Sequence, residues 1–455
     1  MKHLLRTTPI LLALTLAAGC AHGRAGKGSP AEQQAARLEA GQEALRKGEP
    51  EKAIERFEKA LAVDDASALA HRKRVEAYIR LGRTAEIVAI YRARAAREGD
   101  AYGRYALALA LYASATTHAD EALALLEAAG ALKPQEAEFP YRRGVILLDR
   151  ETYPAAIEAF EQAVALDPVR TAYRVPLALA LHHAGRQAEG MKVLSDLLTL
   201  HPTAEEVEKA RKVAEDLSGR FTGVPEAARQ RMDLAIGWLE QADVPQNAID
   251  LLRDVLQEFP DLAMAHALLG LAYQRIDSAG EALVHFRRAI EIDPEAALPH
   301  LYLGNFYLGK DRHAEAVEEY ETALVHNPLL LAPHQMLAEM AVQRGDQERA
   351  ERHLRAWSLL APGTTRPMLA LARIFTRAGR VAEAEAELQR VLELEPSNIE
   401  AHLGMAAVSV HRFSNAKTKG ERKQWKETAE THLDAVSDVQ PENAAVKTLR
   451  KRLGS

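Results

Sequence analysis

The sequence predicts an all-α superhelix of about ten or eleven helix-turn-helix units, closed at its C-terminal end by a capping helix. Three observations predict it: a ladder of prolines, small residues at fixed places between them, and one large apolar residue on every rung. Pro134, Pro168 and Pro202 are 34 residues apart, and Pro260, Pro294, Pro328, Pro362 and Pro396 repeat the same spacing. Self-similarity at such a period marks stacked helical units. With each proline at position 32, position 20 holds Ala53, Ala122, Ala156, Gly190, Ala248, Ala282, Ala316, Ala350 and Ala384, all small. Position 24 holds Phe57, Tyr91, Leu126, Phe160, Leu194, Leu252, Phe286, Tyr320, Leu354 and Leu388, all large and apolar.

Each of these positions has a physical reason. Small residues at positions 8, 20 and 27 let neighbouring helices approach closely, and the large residue at 24 fills the space beside them. Proline at 32 has no amide hydrogen and stops the second helix. Gly82, Gly185, Gly345 and Gly379 stand at position 15, where the turn between the two helices is expected to need positive φ.

In chain order, Lys2 and Arg6 precede an apolar run from Ile10 to Leu16 that is too short to span a bilayer, so residues 1–19 are expected to be a signal peptide. The ending Ala17-Ala18-Gly19-Cys20 resembles a bacterial lipobox, in which the cysteine becomes the lipid-modified first residue. Ala17 departs from it, standing where that family usually has Leu. The resemblance implies lipidation at Cys20, and Ala21 in place of an Asp retention signal implies outer-membrane delivery, facing the periplasm. Residues 20–33 read as the lipidated cysteine and a Gly-, Ser- and Pro-rich tether that reaches at most about 45 Å.

Residues 34–204 form a first array of about five units, starting near 34, 68, 103, 137 and 171. The second is degenerate, with Ile87 and Arg94 where small residues are expected. Residues 205–228 are an insertion, a helix over 205–217 and a loop over 218–225, making either a hinge between two arrays or an extra helix inside one continuous stack. Residues 229–398 hold five more units, from 229, 263, 297, 331 and 365. Residues 399–455 hold an irregular unit, lengthened near Ser414 to Lys426, and a capping helix with Val446, Leu449 and Leu453 on one face.

The best copies are 263–296 (Leu269, Gly270, Tyr273, Ala282, Phe286, Ala289, Pro294) and 297–330 (Leu303, Gly304, Tyr307, Ala316, Tyr320, Ala323, Pro328). This pattern resembles the tetratricopeptide repeat over roughly 34–453. The resemblance implies a groove for protein partners, lined by positions 2, 5, 9 and 12 of the first helices. On this chain those positions point to Leu107, Leu111, Tyr141, Val145, Leu148, Val175 and Leu179, then Met264, Leu271, Leu298, Leu301, Asn305 and Leu308. Arg366, Arg373 and Arg377 form a basic cluster suited to an acidic segment or a chain-terminal carboxylate, and Asp233 and Glu240 an acidic one. The family's carboxylate clamp needs Lys at 5 and Asn at 9; only Asn305 fits, so that mode is not expected.

Composition excludes several other functions. The chain has 455 residues, more than one core usually organises, and a single cysteine, which permits no intramolecular disulfide. A net charge of -6 argues against a nucleic-acid binder, and a mean hydropathy of -0.23 against a multi-span membrane protein. No HExxH or GxSxG occurs, and residues 23–29 lack the glycine and the preceding strand that a phosphate loop needs. No enzyme, cofactor or metal is therefore expected. His71, His266, His300, His334 and His402 all stand at position 4. Helices stack about 8–10 Å apart, too far for adjacent rungs to chelate one ion whose ligand bonds are about 2.0 Å. The expectation is a half-buried ring in place of the bulky residue usual there.

The resulting expectation is a membrane-anchored scaffold, similar to lipoproteins that assist assembly of pilus, secretion, polysaccharide-export or outer-membrane complexes. Recruitment or activation of a periplasmic enzyme (a peptidoglycan synthase, a hydrolase or a protease) and direct polysaccharide binding are the alternatives. The last is disfavoured by 5% aromatic content.

Overall fold

The computed structural model describes residues 29–454 apart from 201, 219, 220, 222, 223 and 243, and its fold class is all-α, as predicted, with no strand among the described residues. The chain divides into two compact units, one ending at Lys133 and the other beginning at Pro134. The first contains α1 (Pro30–Arg46), α2 (Pro50–Leu61), α3 (Ala68–Arg80), α4 (Thr84–Ala95), α5 (Ala101–Ser114) and α6 (Ala119–Leu132). The second opens with α7 (Glu138–Asp149), α8 (Tyr153–Leu166), α9 (Arg174–His183), α10 (Gln187–Leu198) and α11 (Ala204–Leu217). It continues with α12 (Glu226–Gly237), α13 (Pro245–Glu258), α14 (Ala263–Arg275), α15 (Ala279–Ile292), α16 (Ala297–Leu308), α17 (His313–His326) and α18 (Leu331–Arg344). It closes with α19 (Gln347–Leu360), α20 (Thr365–Arg377), α21 (Val381–Leu394), α22 (Ile399–Asn415), α23 (Lys419–Val439) and α24 (Ala444–Gly454).

Each repeat is an antiparallel pair whose second helix buries one stripe. In α15 the stripe is Ala282, Phe286 and Ala289, spaced four and three residues apart and wholly buried. Every large residue at position 24 is at most 3% exposed. The facing position 8 explains why: a Cβ on Gly270 would lie 2.6 Å from the Phe286 ring, and on Gly304 2.7 Å from the Tyr320 ring. The ring therefore rests on bare backbone of the first helix.

The turn between paired helices takes one left-handed residue at position 15. Gly48, Gly82, Gly185, Gly345 and Gly379 have φ of 70 to 76°, and Glu151, Asp277 and Asp311 hold the same place at 56 to 58°. A Cβ is costly in that conformation. Replacing Glu151 by glycine is expected to raise stability by about 0.5–1 kcal/mol, measured as an upward shift of the urea midpoint. An unchanged or lower midpoint would count against strain at this turn.

The expected signal peptide, Cys20 and the expected tether up to residue 28 lie outside the described residues. Residues 29–33, which composition assigns to the tether, instead cap and begin α1. The Ser29 hydroxyl accepts from the Glu32 amide at 3.3 Å, the Glu32 carboxylate accepts from the Ser29 amide at 2.7 Å, and Pro30 enters the first turn. The added residues near 414–426 lengthen α22 and α23 to 17 and 21 residues. In α24, Val446 and Leu453 are buried and Leu449 is half-buried.

The insertion does not simply continue one stack. Helix α11, capped by Thr203 and Glu206, packs on α9 and α10, and α12 begins at Glu226. The following run lies back against α10 and α11 through α17 and α19. Leu329, 3% exposed, enters the core formed by Ala178, Met191, Leu194, Leu197, Ala210 and Ala214, with Leu360 at its edge. The Asn327 side-chain amide donates to the Ser218 hydroxyl at 2.9 Å. Among the described residues no helix is long and apolar enough to cross a membrane.

Candidate functional site

The first helices of the second unit carry most of the residues expected to face a partner, and those from its second run of repeats divide into three zones. Asp233 and Glu240 are exposed at the beginning of the second run. Leu271, Leu298 and Leu308 are half-buried and pack on the edge of the core around Phe286 and Tyr320. Asn305 is exposed between them, and its side-chain oxygen accepts from the Tyr320 hydroxyl at 2.7 Å. Arg366, Arg373 and Arg377 are exposed near the far end. Arg366 pairs with Glu339 at 2.9 Å and Arg373 with Glu400 at 2.6 Å.

Four expected groove residues are core residues instead. Leu107 and Leu111 are 3% and 2% exposed, and Met264 and Leu301 are each 8% exposed. At the usual spacing between successive first helices, leucine at position 5 interlocks with its neighbours rather than facing outward. Tyr141 is half-buried, tilted against Tyr173 at 4.7 Å between ring centroids and covered by the Arg142 guanidinium at 4.8 Å. Val145, Leu148, Val175 and Leu179 are half-buried, the last two against the core of α10.

Among the clefts in this unit are two of similar size. One, about 680 Å³, lies between α10 and α17–α19, and mixes Lys192 and Arg352 with Glu295 and Glu321. The other, about 630 Å³, lies between α20, α22 and α24 and carries Arg373, Arg377 and Arg452 against the single acid Glu400. Of these two, the second has the more one-sided charge.

The position-4 histidines turn out to be fasteners. In four repeats the ring Nε2 donates to the carbonyl of the proline six residues earlier: His266 to Pro260 at 3.1 Å, His300 to Pro294 at 3.3 Å, His334 to Pro328 at 2.9 Å and His402 to Pro396 at 2.9 Å. His71 does the same to the Asp65 carbonyl at 3.0 Å. A carbonyl left unpaired at a helix end is thereby satisfied, and the junction between repeats is pinned.

The other ring nitrogen reaches position 23 or 24 of the second helix. His266, His334 and His402 meet the Nδ1 of His285, His353 and His432 at 3.0, 2.9 and 2.9 Å, His71 meets the Tyr91 hydroxyl at 2.8 Å, and His300 meets Glu319 at 2.7 Å. In a neutral pair the tautomers follow. His334 carries its hydrogen on Nε2, so its bare Nδ1 accepts from His353, and the Nε2 of His353 is left bare. That atom is buried without a partner among the described residues. Burial lowers the pKa of His334 to about 4 and, with the neighbouring His334 and arginines, that of His353 to about 3. Position 4 was visible in the sequence; its partners were marked by a second histidine 19 residues later, as in His266 and His285. No group of three or more His, Cys, Asp or Glu able to hold a metal ion occurs among the described residues.

Family models described as tetratricopeptide repeat match residues 38–101, 103–171 and 141–205, residues 341–408 and residues 264–295, together more than half of the chain. The chain belongs to the tetratricopeptide-repeat family. Repeats of this family typically form non-catalytic scaffolds that bind protein partners through the repeat groove. No curated protein matches the chain at a significant level.

Solved structures of tetratricopeptide-repeat proteins are similar to parts of it. YrrB, described as having an unusual peptide-binding site, is 20% identical over 44% of this chain and 97% of its own, with a TM-score of 0.36. PilF of Pseudomonas aeruginosa is 18% identical over 50% of this chain and 97% of its own, TM-score 0.37. PilW, a widely conserved type IV pilus biogenesis factor, is 18% identical over 50% of this chain and 99% of its own, TM-score 0.33. These likenesses concern the fold.

Proposed function

We propose that the protein is a lipid-anchored interaction scaffold of the bacterial cell envelope, attached through Cys20 to the outer membrane and facing the periplasm. Its groove receives a protein partner during assembly of a pilus, secretion, polysaccharide-export or outer-membrane complex. The observation that carries the scaffold reading is the zoned first-helix surface of the second unit, acidic at Asp233 and Glu240, apolar at Leu271, Leu298 and Leu308, and basic at Arg373 and Arg377. Such a surface suits an extended or helical segment more than a small molecule. The anchor reading rests on the Ala17-Ala18-Gly19-Cys20 motif and the short apolar run before it.

A photocrosslinking amino acid at exposed Asn305 is expected to capture partners in cells, while the same group at Glu318, exposed on a second helix, is not. Equal capture at both positions would overturn the groove assignment. Labelled palmitate is expected to enter the wild-type protein and to be absent from Cys20→Ala. Label retained in that variant would remove the anchor and leave the scaffold reading standing.

A further inference from the structure

The spacing that bars one ion from adjacent rungs does not bar an ion within a rung. In three repeats a histidine on the second helix faces the position-4 histidine through Nδ1 atoms: His285 faces His266 at 3.0 Å, His353 faces His334 at 2.9 Å, and His432 faces His402 at 2.9 Å. The last pair is 30 residues apart in sequence rather than 19, in the repeat whose helices are lengthened, and it keeps the same contact.

In these pairs the position-4 ring is already arranged as a metal ligand. Its Nε2 hydrogen is held by a backbone carbonyl, that of Pro260 for His266 at 3.1 Å and that of Pro396 for His402 at 2.9 Å, which leaves the lone pair on Nδ1. Ligating histidines are oriented in this way, by donating the other N–H to a carbonyl or carboxylate. The facing ring must supply a second lone pair, so its hydrogen has to move from Nδ1 to Nε2. His285 and His432 are half-buried, and water can receive that hydrogen. His353 is 5% exposed, and its Nε2 is buried without a partner among the described residues, so the same change there would bury an unsatisfied donor. The His334–His353 pair is therefore a fastener alone.

Distance selects the ion. Bonds of about 2.0–2.1 Å to two nitrogens 2.9–3.0 Å apart enclose roughly a right angle, whereas tetrahedral bonds need the nitrogens about 3.3 Å apart. Two imidazoles at a right angle, completed by water oxygens, are a tetragonal set of nitrogen and oxygen ligands, which suits Cu(II) first and Ni(II) second. Burial lowers the pKa of His266, His285 and His432, so protons do not compete for these rings near pH 7. Charge ranks the two sites. Arg288 acts on His266 and Arg253 on His285, opposed more weakly by Asp261 and Glu281, whereas His432 answers to burial and His402.

We propose that the His402–His432 and His266–His285 pairs each bind one Cu(II) ion through their two Nδ1 atoms, with water in the remaining positions, the first pair more tightly. The ion replaces the hydrogen between the rings, and that hydrogen moves to Nε2 of His432 or His285, so no proton is released. Each ion ties the two helices of one repeat together, and none of the four rings stands at a groove position.

The test is equilibrium dialysis of the full chain against Cu(II) at pH 7, with electron paramagnetic resonance of the loaded protein. The chain has 17 histidines and an amino terminus, so ions held elsewhere are common to all variants and differences in the count are read. His432→Gln and His285→Gln are each expected to lose one ion per chain, their combination two, and His353→Gln none. Zn(II) is expected to bind these sites at least about tenfold more weakly than Cu(II). Circular dichroism and the urea midpoint serve as folding controls. An unchanged count in the folded double variant, or an equal loss in His353→Gln, would refute the proposal. The wild-type spectrum decides the matter without any variant: two equatorial imidazole nitrogens are expected on two of the bound ions, and a single nitrogen on every ion would exclude paired ligation.

Discussion

Replacing Gly270 by valine is expected to destabilise the second unit by about 3 kcal/mol or more. Helix propensity acts in the opposite direction, since glycine in a helix interior is about 1 kcal/mol worse than alanine. Packing decides the sign. The added Cβ would lie 2.6 Å from two atoms of the Phe286 ring, which is wholly buried and has the Phe306 ring 5.9 Å away. Overpacking a closed core costs about 1–3 kcal/mol and sometimes more, and valine adds two further methyl groups. Urea unfolding followed by circular dichroism measures the loss, and Gly270→Ala should fall between wild type and valine. The mechanism predicts coupling as well. Phe286→Ala alone should cost about 3–5 kcal/mol, and in that background the valine should cost much less because it enters the vacated space. Additive losses in the double variant would show that the ring is not what glycine accommodates.

Acid should be the second large perturbation, through the paired histidines. The folded-state pKa values of His334 and His71, lowered to about 4, and of His353, lowered to about 3, lie below the ordinary histidine value because burial disfavours the charged ring. Burial also lowers His266, His285 and His432. A group whose folded pKa is depressed binds fewer protons than in the unfolded chain, so stability is full above about pH 6.5 and falls as the pH drops toward the folded value. Each unit of separation is worth about 1.4 kcal/mol, so the loss between pH 6.5 and 4.5 should amount to several kcal/mol over the second unit, with His71 acting on the first. The lowered carboxylates, Glu351 bound by Arg355 and Arg380 for example, add their loss only below about pH 4.5, which separates the two effects. Urea midpoints at pH 7, 6, 5 and 4.5 test this, against a His334→Phe, His353→Leu double variant that keeps apolar bulk but removes two titrating rings. An equally steep profile in that variant would exclude the pair as a source.

The repeat architecture was legible because its determinants recur locally. Gly41, Gly144, Gly270 and Gly304 at position 8 and the rings at position 24 are the two halves of one contact, and proline at 32 marks its end. The groove was less legible. Position 5 leucines such as Leu107 and Leu301 read alike whether they face solvent or a neighbouring helix, and only packing separates them from Leu271 and Leu308. The histidine fasteners were half visible: the stripe at position 4 runs along the repeats, whereas its bonds run across each repeat to position 23 or 24. The contact of the second run with α10 and α11 left no sequence trace, since Asn327 and Leu329 belong to a connecting segment where the period places no demand.

That contact changes how the second unit should come apart. A repeat array with only neighbouring contacts can fray from either end, repeat by repeat, like a one-dimensional Ising chain. The bond between Ser218 and Asn327 spans 109 residues and, with Leu329 in the core of α10, turns the stretch between them into a closed ring of interfaces. Such a ring raises contact order, slows folding and couples the three repeats that start at 229, 263 and 297 into one cooperative block, so loss of α13 is felt at α10 rather than ending at α14.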